Sequence, residues 1–215
     1  MLKINYPNIS YDFPKYYACD VEWYTWSEME TKNFFLQAIR TDDVIIDAGA
    51  QIGMYSVFFS KLAPNGKVFA FEPTDTINLL NENIKYHSCD NVSTHNVALS
   101  NKNGVHVDTI YKIWSQQLTE KKEFNFTTID SFVLEKNIKP NLIKIDVDSY
   151  DFEVLQGSKE TLIKHEPSIV VELNDGLGIR GASPKMAIDF MKSINYSVRN
   201  VFNNQNYLFM KDIIK

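Results

Sequence analysis

The stretch that decides the fold is "VIIDAGAQIGMYSVFF", Val44 to Phe59. It opens as a buried β-strand, marked by its β-branched run. It then passes Gly49 and Gly53 and continues as an amphipathic helix, with Ile52, Tyr55, Phe59 and Leu62 on one face. An acid, Asp47, stands where the strand should end. Glycine lets the backbone turn sharply and lets a ligand come close to the chain. The new helix then presents free amide donors. A carboxylate beside bare backbone at a strand-to-helix junction is therefore a candidate ligand site.

Strands and helices alternate outward from that junction. After the turn "PNG" (64–66), "KVFAFE" (67–72) reads as a strand, "DTINLLNENIKYH" (75–87) as a helix and "VSTHNVAL" (92–99) as a strand. In the less regular middle, "NKNG" (101–104) has the composition of a hairpin turn, with strands at "VHVDTIY" (105–111) and "KEFNFTTI" (122–129). The alternation resumes with a strand at "NLIKIDV" (141–147). "DFEVLQGSKETLIKH" (151–165) is helical with a break at Gly157, and "SIVVEL" (168–173) is a strand. A helix follows at "SPKMAIDFMKSI" (183–194), with Ser183 as N-cap and Pro184 at its first position. "YSVRNVF" and "NYLFM" flank "NNQ" and form a closing hairpin. Upstream, "SEMETKNFFLQAI" (27–39) is a helix opened by a capping box of Ser27 and Glu30. The pattern predicts an α/β, Rossmann-like fold: a mostly parallel seven-stranded sheet, an antiparallel terminal strand and helices on both faces. Residues 28–215 would form this domain. Residues 1–27 carry Tyr6, Tyr11, Phe13, Tyr16, Tyr17, Trp23, Tyr24 and Trp26 with little period, and read as an irregular aromatic arm that either packs on the domain or covers a ligand.

Composition narrows the partners. A chain of 215 residues with 44% apolar and 23% charged residues suits one domain with a sizeable core. A formal charge of -5 disfavours a nucleic-acid-binding surface. No apolar run approaches the roughly 18 residues of a membrane span, and the N-terminus has no apolar signal core. Cys19 and Cys89 lie far apart without a CxxC spacing, which predicts reduced thiols and a cytoplasmic protein. Nothing in the sequence sets the number of copies in an assembly.

In sheets of this kind, ligands bind beyond the carboxyl ends of the strands, which points to Asp47, Glu72, Ala98, Asp146 and Glu172 with their loops. Glu72 follows Gly53 by 19 residues, near the spacing of a ribose-binding acid. The dinucleotide fingerprint G-x-G-x-x-G fails, because Gln51 and Met54 occupy its second and third glycine positions; this argues against a nicotinamide dehydrogenase. The spacing Asp47-x-Gly49-x-x-x-Gly53 is instead that of S-adenosylmethionine-dependent methyltransferases. An acid suits that ligand, whose ammonium and sulfonium are cationic, and would repel a pyrophosphate. The plainer alternative is that Asp47 caps the helix and the glycines only turn the chain.

Several segments, in order, resemble the FkbM family of S-adenosylmethionine-dependent methyltransferases. They are "IIDAGAQIG", "VFAFEPT", "NVALSN", "FTTIDSF" and "IKIDVDSYDFEVLQG", and the likeness runs from about Glu28 to Met210. The resemblance implies that Asp47, Gly49, Gln51 and Gly53 hold the methionine part of the cofactor and that Glu72 binds the ribose hydroxyls. It also implies that the turn from Asn96 to Leu99, with Ala98, lies against the adenine. It further implies O-methylation of a hydroxyl on a sugar, glycan or related small molecule. The chain departs from the family pattern where Gln51 replaces asparagine, Asp148 and Asp151 replace glutamates, and Ser149 replaces glycine. A serine in a turn that requires positive φ would be strained. That altered segment motivates a rival reading, a catalytically idle binding domain of the same fold.

Methyl transfer from a sulfonium needs alignment, and a hydroxyl acceptor must also lose a proton. "KIDVDSYD" supplies Lys144, Asp146 and Asp148 on one strand face, with Asp151 just beyond. Asp146, at the strand tip, is the first candidate for base or acceptor-orienting group, with Asp148 and Lys144 beside it. Two alternatives stand: a divalent cation, which the lysine disfavours, or Asp151 as a helix cap with Asp148 only in a salt bridge. His87, His95, His106 and His165 show no ligand spacing; His95 alone falls near a strand end. Trp114 and Ser115, in "YKIWSQQ" (111–117), are candidate acceptor contacts, Trp114 by stacking on a sugar ring unless it is a core aromatic.

Overall fold

The computed structural model describes residues 2–6, 9–13, 28–112, 117–118 and 121–213. In chain order, β1 (Leu2–Tyr6) and β2 (Ile9–Phe13) form an antiparallel hairpin where an irregular arm was expected, and α1 (Met29–Ala38) leads into the main domain. There follow β3 (Val44–Ala48), α2 (Met54–Leu62), β4 (Lys67–Phe71), α3 (Ile77–Tyr86) and β5 (Val92–His95). The middle contains β6 (Ala98–Leu99), β7 (Gly104–Asp108), β8 (Tyr111–Lys112), β9 (Gln117–Leu118), β10 (Lys122–Thr127) and α4 (Ile129–Lys136). The last part has β11 (Leu142–Ile145), α5 (Asp151–Gln156), α6 (Lys159–His165), β12 (Ser168–Glu172), a 3-10 helix (Asp175–Arg180), α7 (Pro184–Ser193), β13 (Tyr196–Phe202) and β14 (Asn206–Lys211).

The seven-stranded sheet has the order β13-β14-β12-β11-β3-β4-β5. Strands β12, β11, β3, β4 and β5 run parallel, and β14 is antiparallel to both of its neighbours. The chain builds outward from β3 to β5 on one side, then returns to β11 and builds outward on the other. The order therefore reverses between β3 and β11, where open α/β sheets leave a crevice.

The strand period explains the two cores. Ile45 and Ile46 are adjacent in β3 and wholly buried, yet they belong to opposite faces. Ile45 packs with Phe35 of α1 and with Val57, Phe58 and Phe59 of α2. Ile46 packs in the core formed with α4 to α7, which includes Phe132, Leu155, Leu162 and Met191. Covered on both faces, β3 and β11 read as near-continuous apolar runs, as parallel strands do. The cap at α7 is as expected: Ser183 Oγ accepts from Met186 N at 3.3 Å.

Several local expectations are corrected. "VSTHNVAL" is not one strand. Its first half is β5; Ala98 and Leu99 leave the main sheet and pair with β10. The third parallel strand therefore ends at His95, not Ala98. "NKNG" does not close a hairpin, because the strands on either side of it, β6 and β7, both pair with β10 instead of with each other. "KEFNFTTI" stops being a strand at Thr127; Thr128 Oγ1 accepts from Ser131 N at 3.0 Å and caps α4, a helix that the hydrophobic pattern did not mark. "VHVDTIY" ends as a strand at Asp108, and Tyr111 begins the separate β8. The N-cap of α1 is Glu28, at φ 53°, and Ser27 lies outside the described residues. The break at Gly157 is present, and for a packing reason: a Cβ there would lie 2.0 Å from the carbonyl oxygen of Ser100.

One interior hydroxyl offers a clean test of this packing. Tyr196, at 0% exposure, donates to the carbonyls of Leu162 (3.1 Å) and Pro167 (3.0 Å). Tyr196→Phe should leave those carbonyls without that donor and destabilise the fold by about 1–3 kcal/mol. Urea unfolding should show a lower midpoint with an unchanged slope.

Candidate active site

The site begins where β3 ends. Gly49, at φ 82°, has backbone so close to the next strand that a Cβ would lie 1.8 Å from the carbonyl oxygen of Asp146. Its glycine is thus required by chain against chain. The amides of Gly49 and Ala50 donate to Phe71 O at 3.1 and 2.9 Å, which ties the loop to the end of β4. Gln51 is also left-handed, at φ 52°, and its amide donates to Glu72 Oε2 at 3.2 Å. Glu72 further accepts from Thr74 N (2.9 Å) and Thr74 Oγ1 (2.5 Å). The Asn96 side-chain amide donates to the carbonyls of Glu72 (2.9 Å) and Thr74 (3.2 Å), so it staples the loop after β5 to the loop after β4.

These loops line an open cleft of about 780 Å³, counted with the solvent at its mouth, at the carboxyl ends of the strands. One wall carries Gly49, Gln51, Glu72, Thr74 and Thr76; an apolar shelf is formed by Phe71, Val97, Ala98, Leu99 and Ile110. The turn after β11 adds Asp146, Val147, Asp148 and Tyr150 to the lining. Sequence reasoning named Gly49, Gln51, Glu72, Ala98, Asp146 and Asp148, and all six line the cleft. Asp47, Gly53, Asn96 and Lys144 do not. Gly53 (φ 93°) starts α2, and a Cβ there would press on Leu80 Cδ1 at 2.6 Å. Trp114 and Ser115 lie outside the described residues. His95 stacks on Phe71, with ring centroids 4.9 Å apart. Tyr150, Ile110, Thr74 and Thr76 also line the cleft and were missed, because nothing in their local sequence marks them as ligand contacts.

Behind the wall lies a buried ion core. Asp47 is wholly buried; its Oδ2 accepts from Ser56 Oγ at 2.6 Å, and its Oδ1 has no hydrogen-bond partner and faces Lys144 Nζ at 3.9 Å. Lys144 Nζ also donates to Asp146 Oδ2 at 3.1 Å and sits 4.7 Å from the centre of the Tyr55 ring. Burial alone would lower the lysine, but the carboxylates of Asp146, Asp47 and Glu28 outweigh it and hold the ammonium charged. Burial pushes the Asp47 carboxyl up, against the pull of Lys144 and Ser56. Lys144 and Asp146 do share a face, as the strand period requires.

Beyond Asp146 the chain makes a tight turn. Asp148 (φ 48°) and Ser149 (φ 84°) are both left-handed, and the Val147 amide donates to Asp151 Oδ1 at 3.0 Å. The serine therefore takes the conformation that glycine adopts freely, at a cost on the order of 1–3 kcal/mol. The N-cap of α5 is Tyr150, so Asp151 is its first helical residue instead of its cap. Burial, with the carboxylates of Asp146, Asp151 and Glu72 nearby, pushes Asp148 up to about 8. Burial likewise pushes Asp151 up to about 7. At the end of β12, Glu172 rises to about 9 through burial and the carboxylates of Asp146, Asp151 and Glu28. Among the described residues no group of three or more His, Cys, Asp or Glu is arranged to hold a metal ion.

A cleft with bare backbone, an anchored acid at the end of β4, an apolar shelf and a partly protonated acidic wall suits a nucleoside ligand that carries positive charge. The methyltransferase FkbM domain matches residues 47–198. The chain belongs to the FkbM methyltransferase family. It is an S-adenosylmethionine-dependent methyltransferase domain, with the Rossmann-like class I fold. It is 29% identical over 157 residues to hexuronic acid methyltransferase AglP of Haloferax volcanii, a match covering 70% of this chain and 64% of that protein. It is 25% identical over 166 residues to Methyltransferase 1 of Beauveria bassiana, covering 64% of this chain and 67% of that protein. Among solved structures, methyltransferase FkbM of Methylobacillus flagellatus aligns with a TM-score of 0.55 at 13% identity, covering 88% of this chain and 52% of that one. SMU.1697c of Streptococcus mutans, in complex with SAH, aligns with a TM-score of 0.51 at 16% identity, covering 84% and 94%. The chain thus spans about two thirds of these curated relatives and about half of the M. flagellatus protein. Among the described residues no helix is long and apolar enough to cross a membrane.

The buried acids around the end of β11 have a consequence for stability. Asp148, Asp151 and Glu172 keep protons in the fold at pH values where the unfolded chain has released them. Folded-state pKa values raised in acids mean that stability is lost as pH climbs from the unfolded values, near 4, through the folded ones, about 7 to 9. The free protein should therefore melt at a higher temperature near pH ~5.5 than near pH ~8.5, with Asp148→Asn flattening the slope. Thermal unfolding across that range checks it; a rising melting temperature would contradict the protonated wall.

Proposed function

We propose that the protein transfers a methyl group from S-adenosylmethionine to a hydroxyl of a sugar, glycan or related small molecule. The observation that carries this reading is the sharing of one cleft by Glu72, Asp146 and Asp148. Family membership supports methyl transfer, and the similarity to a protein named as a hexuronic acid methyltransferase supports a sugar acceptor.

In this reading Glu72 accepts hydrogen bonds from the ribose hydroxyls. The backbone at Gly49 and Gln51 lies along the methionine part, and Ala98 and Leu99 meet the adenine. Asp47 acts from behind, through Lys144. Asn96 holds the Glu72 loop in place, and Gly53 lets α2 begin. When bound, the cofactor supplies a methyl group already activated by the positive sulfur, so the protein's task is alignment and removal of the acceptor's proton. Asp146 commits an oxygen to Lys144 and is assigned to orienting the acceptor hydroxyl. Asp148 is assigned as the base that takes the hydroxyl proton. Its raised pKa, about 8, lies near neutral pH, where a general base is most effective. A cation beside it would favour its charged, proton-accepting form. Trp114 and Ser115 remain the proposed acceptor contacts.

The test combines two variants with a coupled assay for S-adenosylhomocysteine on a panel of neutral and uronic sugars. Glu72→Ala should weaken S-adenosylmethionine binding by about 1.5–3 kcal/mol in calorimetry. Asp148→Asn should bind the cofactor as the wild type does while turnover falls by roughly 10²–10⁴. Wild-type protein that binds the cofactor yet methylates no sugar would replace this reading with that of a binding domain.

A further inference from the structure

We infer that Arg180 is a positioning residue for catalysis: it locks the turn that carries Asp148 against the end of β7. The inference rests on the assignment of Asp148 as base. Arg180 ends the 3-10 helix after β12 and does not line the cleft. Its guanidinium lies over the Tyr150 ring, with Cζ 3.3 Å from the ring centre. Its Nε donates to Ser149 Oγ at 3.3 Å, and its Nη2 donates to Thr109 O at 2.9 Å and lies 3.5 Å from Asp108 Oδ1. The Tyr150 hydroxyl donates to Asp108 Oδ2 at 2.5 Å. One planar fork thus joins three segments that are far apart in sequence: the end of β7, the turn after β11 and the 3-10 helix.

The turn needs such a lock. Asp148 and Ser149 are consecutive non-glycine residues at positive φ, a conformation that persists only where its surroundings over-determine it. Serine at position 149 loses the backbone ease of glycine but presents a hydroxyl, and that hydroxyl accepts from Arg180. Asp108 is a dependable anchor. Burial would raise its carboxyl, but the Tyr150 hydroxyl, the Thr109 amide, Lys102 and Arg180 together bring it down to about 2, so it stays charged. The charged groups that bear most on Asp148 are Asp146 just beyond β11, Asp151 from α5, Glu72 beyond the end of β4 and Lys144 from β11. Arg180 acts by fixing where the carboxyl sits.

The test is Arg180→Lys, which keeps the charge and loses the planar fork. Turnover should fall about 10- to 100-fold, the scale of a small misplacement. The acidic limb of kcat/KM should also move to lower pH, because a released Asp148 gains solvent. The dissociation constant for S-adenosylmethionine should stay within about twofold, since Glu72 and the Gly49 loop are untouched. Adding Ser149→Gly should restore part of the turnover by easing the turn. A lower melting temperature with unchanged turnover and an unmoved pH profile would reduce Arg180 to a stabilising contact and overturn the inference. Wild-type turnover in Asp148→Asn would instead remove the base assignment itself, so the two failures are distinguishable.

Discussion

The structure depends on a lysine held between two acids at the point where the sheet reverses its order. Lys144 of β11 is the register partner of Asp47 of β3, and its ammonium also reaches Asp146 at the strand tip. A charge buried this deeply is tolerated only with partners, and removing one partner of such a core typically costs about 3–5 kcal/mol. The pairing joins β11 to β3 at the carboxyl end of the sheet. It also decides the electrostatics of the cleft. Lys144 offsets the charge of Asp47 and Asp146, and the acids beyond it, Asp148, Asp151 and Glu172, are pushed toward their protonated forms.

The same reversal of strand order divides the cleft by task. Loops after β3, β4 and β5 supply backbone, Glu72 and an apolar shelf. The turn after β11 supplies the acids. The two sides meet where Gly49 packs on the Asp146 carbonyl, just before the acid turn begins. Gly49 is conformationally necessary, but the contact that makes it so is with another strand. The glycine at 53 serves a different purpose, the sharp entry into α2. Two glycines in one short motif thus have separate physical causes.

Asp47 sits differently from the picture its position in the sequence suggests. The sequence placed this acid against the ligand, but 0% exposure puts it behind the cleft lining, 3.9 Å from Lys144 Nζ. Asn96 is similar. Its side chain is spent on two carbonyls of the Glu72 loop, so it shapes the site without facing it. The turn at Asp148 and Ser149 went as the sequence comparison implied, because only a left-handed backbone joins β11 to α5 here. What could not be read was the compensation, an arginine 31 residues downstream that bonds the serine hydroxyl.

By itself the sequence determined the alternation of strands and helices, the parallel sheet with its antiparallel finish, the family and the line of acids at the strand ends. Those follow from short-range causes: side-chain period, glycine and proline punctuation, and motifs a few residues long. Only the tertiary structure decided which of those acids reach the cleft, that β6 leaves the main sheet for β10, and that Thr128 opens a helix. It alone brought Arg180, Tyr150 and Asp108 together. These outcomes depend on long-range neighbours. Strand order, burial and the pKa shifts that burial produces are set by what packs against a residue, and no local pattern encodes that.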